Sequence, residues 1–288
     1  NFLRFNRTLN RKHRINSVFG LTYDVRKVNN DIYAVENFVT TQFTTQNPAY
    51  GNTITRPLTF IKGDQQIFSI LGRVNYSYDN TYILTATLRK DGVSKFADGN
   101  KYGVFPSFAL AVNLHNELEL KSFDELKLRF GWGQIGNHGI GSYGTLSNYG
   151  VSADLYADYE GNTIVPIILQ NISNPDLTWE TTTQANLGVD FSITANKLSG
   201  TVDIYNKKTT DLLQSVNIPT SSGFSNILAN QGEITNKGLE VSLNYNAIEN
   251  DNFNLSFGAN IAMNKTKISN LSAQPLDDFY IDGVAQQR

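Results

Sequence analysis

Apolar and polar residues alternate one by one along almost the whole chain, and every second connection between these runs is long. In 127–133, Leu128, Phe130 and Trp132 share one face, while Lys127, Arg129, Gly131 and Gly133 share the other. In 185–193, Ala185, Leu187, Val189, Phe191 and Ile193 alternate with Asn186, Gly188, Asp190 and Ser192. A period of two means strands with one apolar and one polar face. The pattern predicts about ten of them, at 2–9, 13–27, 66–78, 81–90, 103–115, 125–135, 178–194, 197–210, 234–248 and 252–267. Many exceed the five or six residues of an ordinary strand and suit tilted membrane strands of roughly nine to eleven. Short links near Asn10–Lys12, Asp79-Asn80, Asn116–Asp124, Ala195-Asn196 and Glu249–Asp251 alternate with long ones at 28–65, 91–102, 136–177, 211–233 and after 268.

Antiparallel strands that cross a membrane place alternate connections on opposite sides, and outer-membrane barrels have short turns on one side and long loops on the other. The expected fold is therefore all-β, an antiparallel transmembrane β-barrel present in part. A soluble sugar-binding β-sandwich also alternates, but has no reason to sort its loops by parity. Tyr76, Tyr78 and Tyr82 gather around the Asp79-Asn80 turn as an interfacial girdle would. Cross-strand aromatic packing is the other reading of that cluster.

Composition excludes several classes. Charged residues make up 17% of the 288, below the roughly 25% of soluble domains, against 40% hydrophobic. The absence of cysteine removes disulfides, thiolate metal sites and a cysteine nucleophile. A net charge of −2 offers no basic face for nucleic acid. No run approaches the roughly 20 apolar residues of a membrane helix. The chain opens in mid-pattern at Asn1-Phe2-Leu3-Arg4, as expected of a piece of a longer protein.

Chemical motifs are few. Gly131-Trp132-Gly133-Gln134-Ile135-Gly136 matches G-x-G-x-x-G, but the glycine-rich residues after it cannot form the helix a dinucleotide needs. These glycines are expected where a strand leaves the barrel for a loop. His13, His115 and His138 have no ligand spacing and fall at two short-turn ends and one loop, so no metal or cofactor is expected. Asp176 and Glu180 flank Leu177-Thr178-Trp179 in the manner of a glycosidase pair, but Asn174-Pro175-Asp176 is turn chemistry. No catalytic site is expected, and the chain is read as no enzyme. Arg73, Arg89, Arg129, Asp190, Asp203 and Glu240 fall on the polar face, where a barrel places its wet lumen. They either line a transport path, contact a plug, or simply keep the interior hydrated.

Several phrases resemble one family. They are Tyr82-Ile83-Leu84-Thr85-Ala86-Thr87-Leu88-Arg89-Lys90-Asp91-Gly92 with Phe105-Pro106-Ser107, and Leu126-Lys127-Leu128-Arg129-Phe130-Gly131-Trp132-Gly133-Gln134-Ile135-Gly136-Asn137. With them come Asn174-Pro175-Asp176-Leu177-Thr178-Trp179-Glu180, Asp203-Ile204-Tyr205-Asn206-Lys207-Lys208-Thr209 and Asn230-Gln231-Gly232-Glu233-Ile234-Thr235-Asn236-Lys237-Gly238-Leu239-Glu240. In this order, over about residues 65–245, they resemble the barrel of SusC/RagA-like TonB-dependent transporters.

The resemblance implies a protein of the outer membrane of Bacteroidota, with a barrel of 22 strands around an N-terminal plug. It further implies a SusD-like surface lipoprotein as lid, import of oligosaccharides or peptides, and energy from TonB, ExbB and ExbD. Residues 1–288 would then be a partial barrel domain in contact with outer-membrane lipid, with the plug, the TonB-contacting segment and the closing C-terminal strands lying elsewhere. Loops 28–65, 136–177 and 211–233 would form part of the extracellular mouth. There Tyr143, Tyr149, Tyr156, Tyr159 and Asn162 have the chemistry to stack on and bond sugars, or equally to pack the loops or touch the lipoprotein. No substrate-binding residue is assigned from them. A siderophore- or cobalamin-type receptor and a non-transporting adhesin or structural barrel are the alternatives.

Overall fold

The computed structural model describes residues 1–38, 40, 48–115, 122–151, 157–159, 162–164, 167–250 and 253–271. Ten strands form one antiparallel sheet, each hydrogen-bonded to the next in the chain's own order. The first six are β1 (Phe2–Leu9), β2 (His13–Phe38), β3 (Gly51–Tyr78), β4 (Tyr82–Val93), β5 (Tyr102–Asn113) and β6 (Phe123–Asn137). Four pieces, β7 (Tyr149–Val151), β8 (Ala157–Tyr159), β9 (Asn162–Ile164) and β10 (Ile167–Leu169), belong to the long connection after β6. The wall resumes with β11 (Glu180–Ile193) and β12 (Leu198–Thr210). It pauses at the hairpin β13 (Leu213–Asn217) and β14 (Asn226–Asn230), and closes with β15 (Glu233–Glu249) and β16 (Asn254–Ser269). The turns Asn10-Arg11 and Asp79-Asn80 hold both central residues at positive φ, between 49° and 58°. That is the twist that lets a two-residue loop reverse a strand.

Side chains sort into continuous rows across the wall. One outward row runs Ile15, Tyr76, Leu84, Leu110, Phe130, Leu187, Ile204, Leu239 and Met263, each the register partner of the next. The neighbouring row runs Tyr78, Tyr82, Val112, Leu128, Val189, Val202, Val241 and Ile261. Most of these large apolar side chains are exposed. Among the described residues no second layer covers them, so in water this face would be an apolar patch far beyond what soluble monomers carry. In a bilayer the lipid is the missing layer.

Aromatic groups mark both borders of the apolar band. Near the short turns, His13 packs against Tyr76 and Tyr78, and Tyr78 against Tyr82. At the far border Tyr23, Phe68, Gly92 and Tyr102 form one row, with the Lys90 ammonium 4.9 Å from the Tyr102 ring centre. The ten residue steps from Tyr82 to Gly92 span ~33 Å along the strand. With the ~40° tilt of barrel strands that becomes ~25 Å, the height of the apolar band of outer-membrane barrels.

The structure corrects several sequence expectations. Residues 28–38 and 51–65, expected as loop, continue β2 and β3 as a paired ribbon. Outside a membrane both faces of a ribbon are wet, so alternation fades while the backbone ladder goes on. The expected loop 211–233 contains the hairpin β13–β14, and 136–177 contains two small hairpins. Trp179, expected to open a strand, lies just before β11. The link at Asn116–Asp124 falls mostly outside the described residues, as does the tail after Leu271.

Candidate functional site

The buried core of the described residues sits at the long-loop end. Val93, Phe96, Phe105, Ile140, Leu177 and Trp179 form it, and Ile67, Leu213 and Leu228 pack against it. Val93 and Phe105 stand in the polar-face rows, opposite Ile67 and Arg89. The connection after β6 therefore folds inward over the polar face. Leu177 is fully buried, and the Trp179 ring meets Phe96 and Phe105 at centroid distances of 5.6 and 5.4 Å.

Hydrogen bonds lock this latch. Trp179 Nε1 donates to the Lys101 carbonyl at 3.3 Å, and Asn174 Nδ2 to the Leu228 carbonyl at 2.8 Å. Asn230 Oδ1 accepts from the Thr178 amide, and its Nδ2 donates to the carbonyls of Thr178 and Asp211. Asn230→Ala strips all three bonds and leaves half-buried backbone groups unmet. Thermal unfolding of the whole receptor should show a loss of about 1–3 kcal/mol; an unchanged midpoint would show that Asn230 holds nothing.

The residues singled out in the sequence are shared between this latch and the wall. Asp176 donates its amide to Asn174 Oδ1 at 3.1 Å, a turn. The Glu180 carboxylate accepts from Asn137 Nδ2 and the Leu213 amide, tying β6 to β13. These are structural roles. The glycines of 131–136 lie inside β6, which runs on to Asn137, so the strand leaves the sheet later than expected. His13 Nδ1 lies 2.8 Å from Tyr76 Oη at the short-turn border, and His115 follows β5. Among the described residues no group of three or more metal-binding side chains gathers. Tyr143 and Tyr149 are exposed in the long connection. Tyr156 lies outside the described residues, and of Tyr159 and Asn162 only the pairing of β8 with β9 is described.

His138 enters the latch, its ring edge-on to Trp179 at 5.4 Å. Burial lowers its pKa from 6.5; the charge of Lys95 lowers it further, while Asp91 opposes. The folded latch thus holds neutral histidine and the unfolded segment binds the extra proton. Stability is full above about pH 6.5 and falls as pH drops through the window below it. Hydrogen exchange at 138–145 should rise from pH 7.5 to 5 after correction for intrinsic rates, and His138→Gln should remove the dependence.

The polar-face charges expected in the lumen all share one face. Arg129 on β6 donates to both carboxylate oxygens of Asp190 at 2.7 and 2.8 Å, and also reaches Asp203 on β12, two strands away, at 3.0 Å. It passes over Gly188, register partner of both Arg129 and Asp203. Arg89 chelates Asp91 at 2.7 and 2.8 Å and donates to Ser69. Arg73 donates Nε to Thr87 at 3.1 Å, and Glu240 lies opposite Asp203. Three of these charges, Arg129, Asp190 and Asp203, thus form a three-strand bridge, which sequence distance concealed. Beside it a groove of about 360 Å³ runs over β4, β5, β6 and β11.

Comparison with known proteins places this wall. The family model "TonB dependent receptor-like, beta-barrel" matches residues 1–287. TonB-dependent receptor P3 of Formosa agariphila is 34% identical over 99% of the chain and 28% of its own length. TonB-dependent receptor SusC of Bacteroides thetaiotaomicron is 37% identical over 75% of the chain and 22% of its own. The RagAB peptide importer in its closed-closed state superposes with a TM-score of 0.83 at 24% identity, over 98% of the chain and 31% of that one. The chain therefore spans less than a third of these relatives. The siderophore receptor PirA of Pseudomonas aeruginosa shares the fold at a TM-score of 0.57 and 15% identity. The chain belongs to the TonB-dependent receptors, a family of transporters and not of enzymes, and forms part of their outer-membrane β-barrel.

Proposed function

We propose that the receptor containing this chain imports large nutrients, oligosaccharides or peptides, across the outer membrane, together with a SusD-like surface lipoprotein. TonB, with ExbB and ExbD, supplies the energy through a plug encoded elsewhere in the same polypeptide. In this reading residues 1–288 are ten strands of a 22-stranded wall, with β1 and β16 pairing to further strands at the sheet's two edges. One observation carries it: the chain is 37% identical to SusC over 75% of its length. A deletion strain should lose growth on particular glycans or peptides and keep its growth under iron limitation. The reverse pattern would assign a siderophore receptor, and normal growth in both tests a barrel that does not transport.

A further inference from the structure

The polar face holds two adjacent rows of contrasting chemistry. One runs Asn6, Asn16, Asn75, Thr85, Ala109, Gly131, Asn186, Tyr205, Gly238 and Asn264, without a charge. The next runs Arg4, Val18, Arg73, Thr87, Ser107, Gly133, Gln184, Lys207, Asn236 and Thr266, with three cations and no carboxylate. Where both rows fall to small residues they leave the groove of about 360 Å³. Arg73 stands on one side, Gln184 and Asn186 on the other, and Thr85, Thr87 and Ser107 between. The Asn186 amide leans across Gly131, where an added side-chain carbon would meet its Oδ1 at 2.5 Å. Glycine there gives the amide its place in the groove.

Arg73 uses only Nε, on Thr87, and enters none of the ion pairs among the described residues. Arg73 lines the groove, and its two terminal nitrogens have no acceptor among the described residues. The Gln184 and Asn186 amides likewise have no hydrogen-bond partner among the described residues. By contrast Arg89 and Arg129, on the same face, are each paired with aspartate.

From this we propose that the groove is a binding subsite for an oligosaccharide bearing an anionic group, a carboxylate or a sulfate ester. Arg73 pairs with the anion in a two-pronged bond. Gln184 and Asn186 each present a donor beside an acceptor, the pairing that vicinal hydroxyls require, and Thr87 and Ser107 hydroxyls complete the wall. Ile135 gives the groove an apolar part on which a sugar ring can rest, and the hydroxyls and paired amides beside it favour a saccharide over a peptide. The proposal rests on the import reading above and names the substrate class for it.

Isothermal titration of the whole receptor in lipid nanodiscs, at low ionic strength, tests it with tetragalacturonate, neutral galactotetraose and tetraglutamate. The uronate should bind roughly tenfold tighter than its neutral counterpart or more, as expected of one charge-assisted pair. Arg73→Gln should erase that difference. Lys90→Gln, an equal charge change on the outward face, should preserve it. Equal binding of the two saccharides, or a preference that survives Arg73→Gln, overturns the proposal. So does an Arg73-dependent preference for tetraglutamate alone, which assigns the groove to acidic peptides. Binding is read on purified receptor and uptake on cells, so failure here leaves the import reading standing, and loss of import leaves this one.

Discussion

Trp179→Ala should release the segment from 138 to 178 from the wall while the ten strands stay paired. The ring fills the centre of the buried cluster between Phe96, Phe105 and His138, and its indole N–H is bonded to the Lys101 carbonyl. Truncating a buried tryptophan costs about 3–5 kcal/mol. Elements held by tertiary contacts alone open locally once those contacts go, and the described residues of this connection have only three-residue strand pieces of their own. Hydrogen exchange on the whole receptor should therefore lose protection at 138–148 and 170–178, with β4 and β12 unchanged. Limited proteolysis should find new cuts in the same segment. Full protection in the variant would mean that partners elsewhere hold the segment, and would sink the latch.

Gly188→Val should break the charge bridge that joins three strands. A side-chain carbon at 188 falls 2.2 Å from Asp203 Oδ1 and 2.7 Å from Arg129 Nη2, so the guanidinium cannot keep its path to β12. The three side chains are 29%, 23% and 25% exposed, so water screens part of the loss. An expected cost of about 1–3 kcal/mol allows for that and for an aspartate left without its cation. It would appear as a lower midpoint in the heat-induced unfolding of the barrel. Gly72→Val is the matched control, since an added carbon there meets nothing within 4 Å. Equal loss at both sites would mean that the backbone, and not the bridge, responds.

The two cases show what the chain discloses in one dimension. The wall was readable because lipid on one side and water on the other force a period of two, so Leu128, Phe130 and Trp132 declare their face wherever they occur. The period disappeared in 28–38 and 51–65 because neither face of that ribbon meets lipid, and β2 and β3 were therefore expected too short. The latch left no periodic trace. Phe96, Phe105, Ile140 and Leu177 come from two separate connections and a strand end, and only folding brings them together. The phrases around Phe105, Trp179 and Asn230 stood out as family resemblances before any reason for them was visible; their side chains meet in the latch. The Arg129 bridge was half legible, since its residues shared a face, but Gly188 read merely as a gap in an alternating strand.

The central claim is that one face of these strands meets lipid and the other a wet lumen. It can be tested residue by residue, because this chain contains no cysteine. Single cysteines at Leu187 and Ile204, against Asn186 and Asp203, would be placed in a receptor otherwise free of reactive thiols and reconstituted in vesicles. The account predicts that 187 and 204 resist a water-soluble maleimide, and that a fluorophore at either is quenched by brominated lipid chains. At 186 and 203 it predicts no lipid quenching, and labelling wherever the lumen is open to the reagent. Lipid quenching at 186 and 203, or aqueous labelling of 187 and 204 as fast as at an exposed loop, would contradict it.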